Sequence, residues 1–168
     1  MKLVCPSLHL KRNAIEYKHE FFSAGEKHID GSCGLSKYDD FDEWLEYVIN
    51  IQTEAPPDFV ICSTYFAVVD DELVGMTSIR HTLNEALRFD GGHIGYSIRP
   101  SQRRRGYATQ MLALALDECR NLGIDRVLIT CLKSNIGSAK TIINNGGILG
   151  SEFLDANGDM SQRYWITL

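Results

Sequence analysis

A strand-like run, a basic turn and a helix-like run follow one another in the middle of the chain, and this succession most constrains the fold. The run Gly92–Ile98 is strand-like, and Ala108–Leu122 places small and apolar residues at helical spacing. Pro100 ends the strand, and three arginines, Arg103–Arg105, precede Gly106. The chain therefore passes from strand to helix within a few residues, as α/β proteins do.

The basic turn has the chemistry needed to hold a pyrophosphate. The first N–H groups of a helix have no partner within the helix, and the helix dipole gives that end a partial positive charge. An anion placed there gains hydrogen bonds and a favourable field. Gly106 lets a phosphate approach the backbone, and Arg103, Arg104 and Arg105 add positive charge. The alternative is an arginine-rich helix start on a solvated face.

Composition limits the classes of partner. The chain has 168 residues and a net charge of -5, so we expect one domain, residues 1–168, that does not coat nucleic acid. Five scattered cysteines and five histidines form no metal-binding pair, so we expect reduced thiols, no metal and a cytoplasmic location. No apolar run is long enough for a membrane helix, and no signal peptide is predicted.

The remaining pattern predicts an α/β chain with a mixed sheet. Helices are predicted at Lys11–Ala24, from Asp40 onward and at Ser138–Asn144. Further strands are predicted at Met1–Leu8, Thr64–Val69, Leu73–His81, Arg126–Cys131, Ile148–Leu154 and Arg163–Leu168. The order is two helices, an antiparallel meander, and then strand, helix, strand, helix, strand, strand.

A second motif follows the strand Arg126–Cys131. Asn135 is followed by Ser138 three residues later, and Gly146 ends the short helix. The simplest interpretation is local, with Asn135 capping the helix and Gly146 terminating it. A role of Asn135 and Ser138 at a ligand is compatible with that capping.

The two motifs resemble those of the GNAT superfamily of N-acetyltransferases. Arg103-x-x-Gly106-x-Ala108 resembles its acyl-CoA motif, (Gln/Arg)-x-x-Gly-x-(Gly/Ala), and Asn135 with Ser138 resembles its second signature. The termini and Gly92–Pro100 resemble a bacterial group of predicted acetyltransferases. The resemblance covers almost the whole chain.

This resemblance implies a GNAT fold, an α/β fold with a mixed, mostly antiparallel central sheet and flanking helices. Two central parallel strands splay apart, and the pantetheine arm of acetyl-CoA bonds the edge at Ser97, Ile98 and Arg99. The implied cofactor-binding residues are completed by Arg103, Arg104, Arg105, Gly106, Tyr107, Ala108, Thr109, Asn135 and Ser138.

The implied activity is transfer of an acetyl group from acetyl-CoA to an amine by direct attack. The acceptor is expected to be a small-molecule or peptide amine, and the protein a monomer or homodimer, without nucleic acid or membrane. The alternative is a GNAT-fold module that binds acyl-CoA without turnover, as a sensor or docking subunit. The sequence does not identify the acceptor.

The catalytic residues are less well defined. Many GNAT members carry a tyrosine that protonates the leaving thiolate, but Ile142 occupies that place, so Tyr164, or else Tyr107 or Tyr96, is the expected acid. His93 lies beside the place of the family's glutamate and is the candidate base, because its intrinsic pKa lies near neutrality. The alternative for His93 is a structural hydrogen bond at the strand start.

An acidic cluster at the second helix is a candidate site for a cationic acceptor, with a solvated helix face as the alternative. Its members are Asp39, Asp40, Asp42, Glu43 and Glu46.

Overall fold

Two antiparallel sheets and five α-helices make up the computed structural model, which describes residues 1–168. The helices are α1 (Lys11–Ser23), α2 (Phe41–Asn50), α3 (Glu85–Phe89), α4 (Tyr107–Asn121) and α5 (Ile136–Asn144). The strands are β1 (Lys2–Val4), β2 (Cys62–Val69), β3 (Glu72–Arg80), β4 (Ile94–Ile98), β5 (Arg126–Leu132), β6 (Ile148–Leu154) and β7 (Met160–Thr167).

The two sheets meet between β4 and β5. The first has the order β1-β2-β3-β4 and the second β5-β7-β6, and every pairing within them is antiparallel. A single bridge, between Gly92 and Ile129, joins them. The expected mixed sheet is thus divided, because β4 is unpaired on the side of β5 beyond this bridge.

The helices pack on opposite faces of the first sheet. Trp44 of α2 is fully buried and stacks on Phe66 of β2, with ring centroids 5.8 Å apart, in a core that α1 shares. Leu112 of α4 and Ile142 of α5 lie in a second core with Ile79 of β3. Successive residues of a strand point to opposite faces, so each of β2 and β3 supplies both cores.

Most predicted elements are confirmed to within a few residues. The structure adds α3, whose first turn is capped by Asn84, since its Oδ1 accepts a hydrogen bond from the Leu87 N–H at 2.9 Å. Five residues are too few for a periodic apolar pattern. Strand β7 begins at Met160 rather than Arg163, because pairing with both β5 and β6 recruits a polar segment.

The bridge between the sheets requires a glycine. Gly92 has φ +61°, and a Cβ there would lie 2.3 Å from the carbonyl oxygen of Leu128. Only glycine combines this backbone conformation with so close an approach of two chains. The junction at which the two sheets meet and then diverge therefore depends on Gly92.

We expect Gly92→Ala to lower the free energy of unfolding by about 3 kcal/mol, because it adds a backbone clash to the strain of a positive φ. Gly158→Ala is the matched control, since Gly158 has φ +84° in a turn with nothing within 4 Å of its Cβ position, and should cost about 1 kcal/mol. Denaturant unfolding measures both. Equal losses in the two variants would contradict the close approach.

Candidate active site

An open cleft of about 1520 Å³ occupies the gap between β4 and β5. The starts of α4 and α5 line one end of it, and the end of β3 with the loop between α1 and α2 lines the other. Backbone from two sheets and two helix starts thus converges on one continuous space.

One edge of the cleft is the unpaired side of β4. The Arg99 N–H donates to the Val74 carbonyl at 2.9 Å, toward β3. Because these bonds alternate along an antiparallel strand, the backbone groups of Ser97 also point to β3, while those of Tyr96 and Ile98 point into the gap. The exposed edge is therefore Tyr96 and Ile98, and the expectation of edge contacts at Ser97 and Arg99 is corrected by the register.

The side chains of Ser97 and Arg99 are engaged in the fold. The Ser97 hydroxyl lies 3.1 Å from the Tyr17 hydroxyl of α1. Arg99 pairs with Glu20 of α1 and, at 3.4 Å, with Glu72 of β3. These contacts fasten α1 to the first sheet, and the Arg99 side chain does not line the cleft.

The basic turn presents a row of free backbone donors. None of the N–H groups of Arg104–Thr109 has a hydrogen-bond partner within the protein. Arg104 has φ +65° and Gly106 φ +78°, so two left-handed residues lie in this turn. The guanidinium groups of Arg104 and Arg105 make no ion pair. The start of this 15-residue helix is therefore a candidate position for an anion.

Arg103 differs from its two neighbours. Its Nη1 and Nη2 donate to the two carboxylate oxygens of Glu26 at 2.7 and 2.9 Å, and its Nε donates to the Ile98 carbonyl at 3.1 Å. The guanidinium also lies over the Phe21 ring. The side chain therefore fixes the turn against β4 and α1 rather than standing free for a phosphate.

The start of α5 forms the opposite wall. Asn135 caps the helix, since its Oδ1 accepts a hydrogen bond from the Ser138 N–H at 3.0 Å, which confirms the predicted cap. The Ser138 hydroxyl lies 2.8 Å from the Tyr96 hydroxyl, which reaches across from β4. Tyr96, Asn135 and Ser138 all line the cleft.

Ile142 occupies a core position rather than a cleft position. It is fully buried, and a Cβ at Gly147 would lie 2.4 Å from its Cγ2 atom. This contact also accounts for glycine at position 147, since a larger side chain there would displace the helix.

The three tyrosine candidates lie in different environments. Tyr107 is the first residue of α4 and lines the cleft beside the basic turn. Tyr164 is 3% exposed, donates its hydroxyl to Gln162 Oε1 at 2.8 Å and does not line the cleft, which argues against its predicted role as the acid. Tyr96 lines the cleft, and its hydroxyl lies beside Ser138 at the start of α5. Burial raises the pKa of Tyr96, so this hydroxyl stays protonated at neutral pH.

His93 serves the junction between the sheets. The imidazole Nδ1 of His93 accepts a hydrogen bond from the Leu128 backbone N–H at 2.9 Å, and the backbone N–H of His93 donates to the Leu128 carbonyl at 2.7 Å. Burial, with the nearby charges of Arg88 and Arg80, lowers the pKa of His93 to about 4. The lone pair that a base needs is already used, so the geometry favours the structural alternative over the predicted base.

The depressed pKa of His93 makes a prediction for stability. Between pH 6.5 and about 4 the unfolded chain binds a proton at this residue and the folded chain does not, so this contribution to stability is lost as pH falls through that window. Within this pH window, we expect the melting temperature of His93→Gln to depend less on pH than that of the unmodified protein. An unchanged slope would contradict the buried, neutral imidazole.

The far end of the cleft contains residues that sequence reasoning missed. Arg80 closes β3, and Tyr38 and Tyr47 line the cleft with ring centroids 5.9 Å apart. Cys33, which has φ +50°, lies beside Cys62, and this neighbour lowers the pKa of the Cys33 thiol to about 7. The one signal for this region in the sequence was Arg80, a charged residue at the end of the apolar run of β3.

The acidic cluster of α2 lies outside the cleft. Asp40 caps the helix, because its Oδ1 accepts from the Asp42 N–H at 2.9 Å, and Asp42 pairs with Lys11 at 2.7 Å. None of the acidic residues proposed there lines the cleft. The cluster therefore has the structural role of a helix start, which corrects the acceptor interpretation.

The structure brings no three His, Cys, Asp or Glu side chains together as a metal site. Its longest helices are too short or too polar to span a membrane.

Comparison with known proteins identifies the architecture. The family model of the acetyltransferase (GNAT) domain matches residues 16–148, and no curated protein sequence is significantly similar to the chain. The structure of the microcin C7 self-immunity acetyltransferase MccE, in complex with acetyl-CoA and AMP, superposes with a TM-score of 0.74 at 18% identity, covering 99% of this chain and 91% of that one.

Two further solved structures share the fold. RimL, a ribosomal L7/L12 α-N-protein acetyltransferase in complex with coenzyme A, has a TM-score of 0.74 at 16% identity, covering 99% of this chain and 93% of its own. A spermidine N-acetyltransferase SpeG variant from Vibrio cholerae has a TM-score of 0.68 at 15% identity, covering 99% and 95%. These likenesses confirm the predicted α/β fold.

Proposed function

The chain belongs to the GNAT acetyltransferase family, and we propose that it transfers the acetyl group of acetyl-CoA to an amine acceptor. The observation that carries this proposal is one continuous cleft. It runs from the free N–H groups of Arg104–Thr109, past the unpaired edge at Tyr96 and Ile98, to the pocket at Arg80. A cosubstrate and an acceptor can therefore meet within it.

Acetyl-CoA fits the first two parts of the cleft by chemistry. The N–H groups of Arg104–Thr109 would bind its pyrophosphate, with Arg104 and Arg105 adding charge from the rim. The pantetheine amides would pair with the free backbone groups of Tyr96 and with the N–H of Ile98, whose carbonyl already accepts from Arg103, as an added strand. Along this path the thioester would lie near the Tyr96 hydroxyl and the start of α5.

The reaction is direct attack of a neutral amine on the thioester carbonyl carbon. The C–N bond forms while negative charge develops on the carbonyl oxygen, where a free N–H of the β4 edge can stabilise it. The C–S bond then breaks, the thiolate leaves with the electron pair, and the amine loses its proton to water. No residue of the chain is acetylated.

Tyr96 is the group best placed to protonate the leaving thiolate. It lines the cleft, and its hydroxyl lies 2.8 Å from the Ser138 hydroxyl at the start of α5. Tyr164 is buried and its hydroxyl donates to Gln162. It would have to break this hydrogen bond before it could protonate the thiolate. His93 acts only by holding β4 against β5.

A second candidate function is a module that binds acyl-CoA without turnover. The apolar, fully buried Ile142 at the place where many relatives carry a catalytic tyrosine favours it. Intact binding of acetyl-CoA with no acetylation of a broad amine panel would identify this function.

The acceptor is proposed only as an amine of a small molecule or a peptide. The similar structures act, by their names, on ribosomal protein L7/L12 in one case and on spermidine in another. Because these acceptors differ so widely in charge and size, the acceptor must be inferred from the cleft of this chain.

Gly106→Glu should abolish binding of acetyl-CoA in isothermal titration calorimetry, because it places bulk and negative charge among the free N–H groups. Gly123→Glu is the control, since Gly123 has φ +74° and follows the other end of α4, with nothing within 4 Å of its Cβ position. Backbone strain is then matched and only the location differs. If Gly106→Glu binds acetyl-CoA as tightly as the unmodified protein, the basic turn is not part of the cofactor site.

Tyr96→Phe should lower kcat by roughly 10²-fold with little change in affinity for acetyl-CoA, because the leaving thiolate loses its proton donor. Tyr164→Phe removes the same hydroxyl from the core and should retain kcat within about 3-fold, as should His93→Gln at neutral pH. Steady-state kinetics with one identified amine measures all three. A large loss in Tyr164→Phe alone would exchange the roles of the two tyrosines.

A further inference from the structure

Arg80 places a guanidinium at the far end of the cleft, beside the start of β4. Its Nη1 donates to the carbonyls of Gly91 and Gly92 at 3.0 and 3.1 Å. Its Nη2 lies 3.5 Å from the point that a Cβ on Gly95 would occupy. The group therefore lies across the first residues of the strand whose free edge faces the thioester path.

This guanidinium has no carboxylate partner within the protein. None of the ion pairs of the protein includes Arg80, and its Nε is a buried donor without any hydrogen-bond acceptor. Two of the acidic residues that line the cleft are engaged elsewhere, since Asp90 accepts from Thr130 and Asp30 pairs with His28. A buried, unpartnered donor on a cation is costly unless a ligand completes it.

A second unpartnered polar atom lies on the same face. Thr64 Oγ1, from a residue only 1% exposed, is the one other buried side-chain polar atom without a partner. Thr64 lies two residues after Cys62, which pairs with Arg80, so both side chains point to the face covered by α1 and α2. Both atoms lie on the side of the first sheet that α1 and α2 cover, but only Arg80 of the two residues lines the cleft.

The Arg80 guanidinium can pair with a carboxylate that enters the cleft. Because Nη1 is held by two carbonyls and Nε is buried, Nη2 is the nitrogen left to reach a ligand. An N–H of a guanidinium donates a charge-assisted hydrogen bond to a carboxylate oxygen, which is stronger than a bond between neutral groups.

We infer that Arg80 binds a carboxylate of the acceptor, so that the preferred acceptors are amines that carry a carboxylate, of the amino-acid class. This inference rests on the proposed function and specifies its acceptor. Polyamines are disfavoured, because a second cation would face Arg80 across a partly desolvated cleft. Tyr38, Tyr47 and Phe59 line the same region and supply an apolar surface for the acceptor's side chain.

The charge of Arg80 also favours the reactive form of the acceptor. A cation near an amine lowers the pKa of that amine and so raises its neutral fraction, which is the form that attacks the thioester. For an acceptor that carries both groups, binding of the carboxylate offsets the repulsion between Arg80 and the amine. For an acceptor that carries only amines, this repulsion remains.

The test compares acceptors that differ only in the carboxylate: L-tyrosine with tyramine, and L-lysine with cadaverine, with spermidine added. We expect kcat/KM at least 10-fold higher for each amino acid than for its decarboxylated partner. Arg80→Gln should remove this preference, lowering kcat/KM for the amino acids by about 10²-fold. It should not lower kcat/KM for tyramine and cadaverine in parallel, because these acceptors have no carboxylate to bind and are no longer repelled by the guanidinium. Arg80→Lys keeps the charge without the guanidinium and should lie between the two.

Arg88→Gln is the matched control, because it removes one positive charge from the exposed face of α3 without touching the cleft, and it should retain the preference. Calorimetry with acetyl-CoA establishes that each variant is folded and binds the cosubstrate. Equal kcat/KM within both acceptor pairs, or a preference that survives in Arg80→Gln, would overturn the inference.

Binding is followed separately from turnover through the NMR resonance of the Arg80 Nε–H in the CoA complex. L-tyrosine or L-lysine should shift this resonance at concentrations where tyramine and cadaverine do not. If such shifts occur while no amine is acetylated, the carboxylate site stands and the proposed transferase function fails. If amines are acetylated but no carboxylate shifts the resonance, the function stands and the carboxylate site is wrong.

Discussion

The close contact between the start of β4 and β5 is the constraint on which the rest of the structure depends. Gly92 lets the two chains approach, and His93 fixes them through two hydrogen bonds to Leu128. Beyond this junction the strands belong to different sheets and diverge. A single point of attachment therefore creates both the cleft and the unpaired strand edge that lines it.

The proposed cofactor site depends on backbone donors more than on side chains. The first N–H groups of a helix have no partner within it, and at Arg104–Thr109 they lie at a basic turn that borders the cleft, which supports a role in binding an anion. Arg103 and Arg99 contribute indirectly, since their ion pairs with Glu26 and Glu20 hold the basic turn and β4 against α1. Arg99 and Arg103 are therefore structural, whereas Arg104 and Arg105 make no ion pair.

Features that depend on local sequence were predictable. The Asn135 cap and the helix that follows the basic turn are set by residues within a few positions of one another. Features that depend on tertiary contacts were not. Counting from motifs could not show that Tyr164 donates to Gln162 in the core, or that His93 accepts from a strand 35 residues away.

The central claim is that the free N–H groups at Arg104–Thr109 and the unpaired edge at Tyr96 and Ile98 form one acetyl-CoA site. Amide chemical shifts measured by NMR during titration with acetyl-CoA test it most directly. The account predicts that the amides of both segments shift and become protected from hydrogen exchange together, with one dissociation constant. Shifts confined to other regions, or a turn that responds without the strand edge, would contradict it.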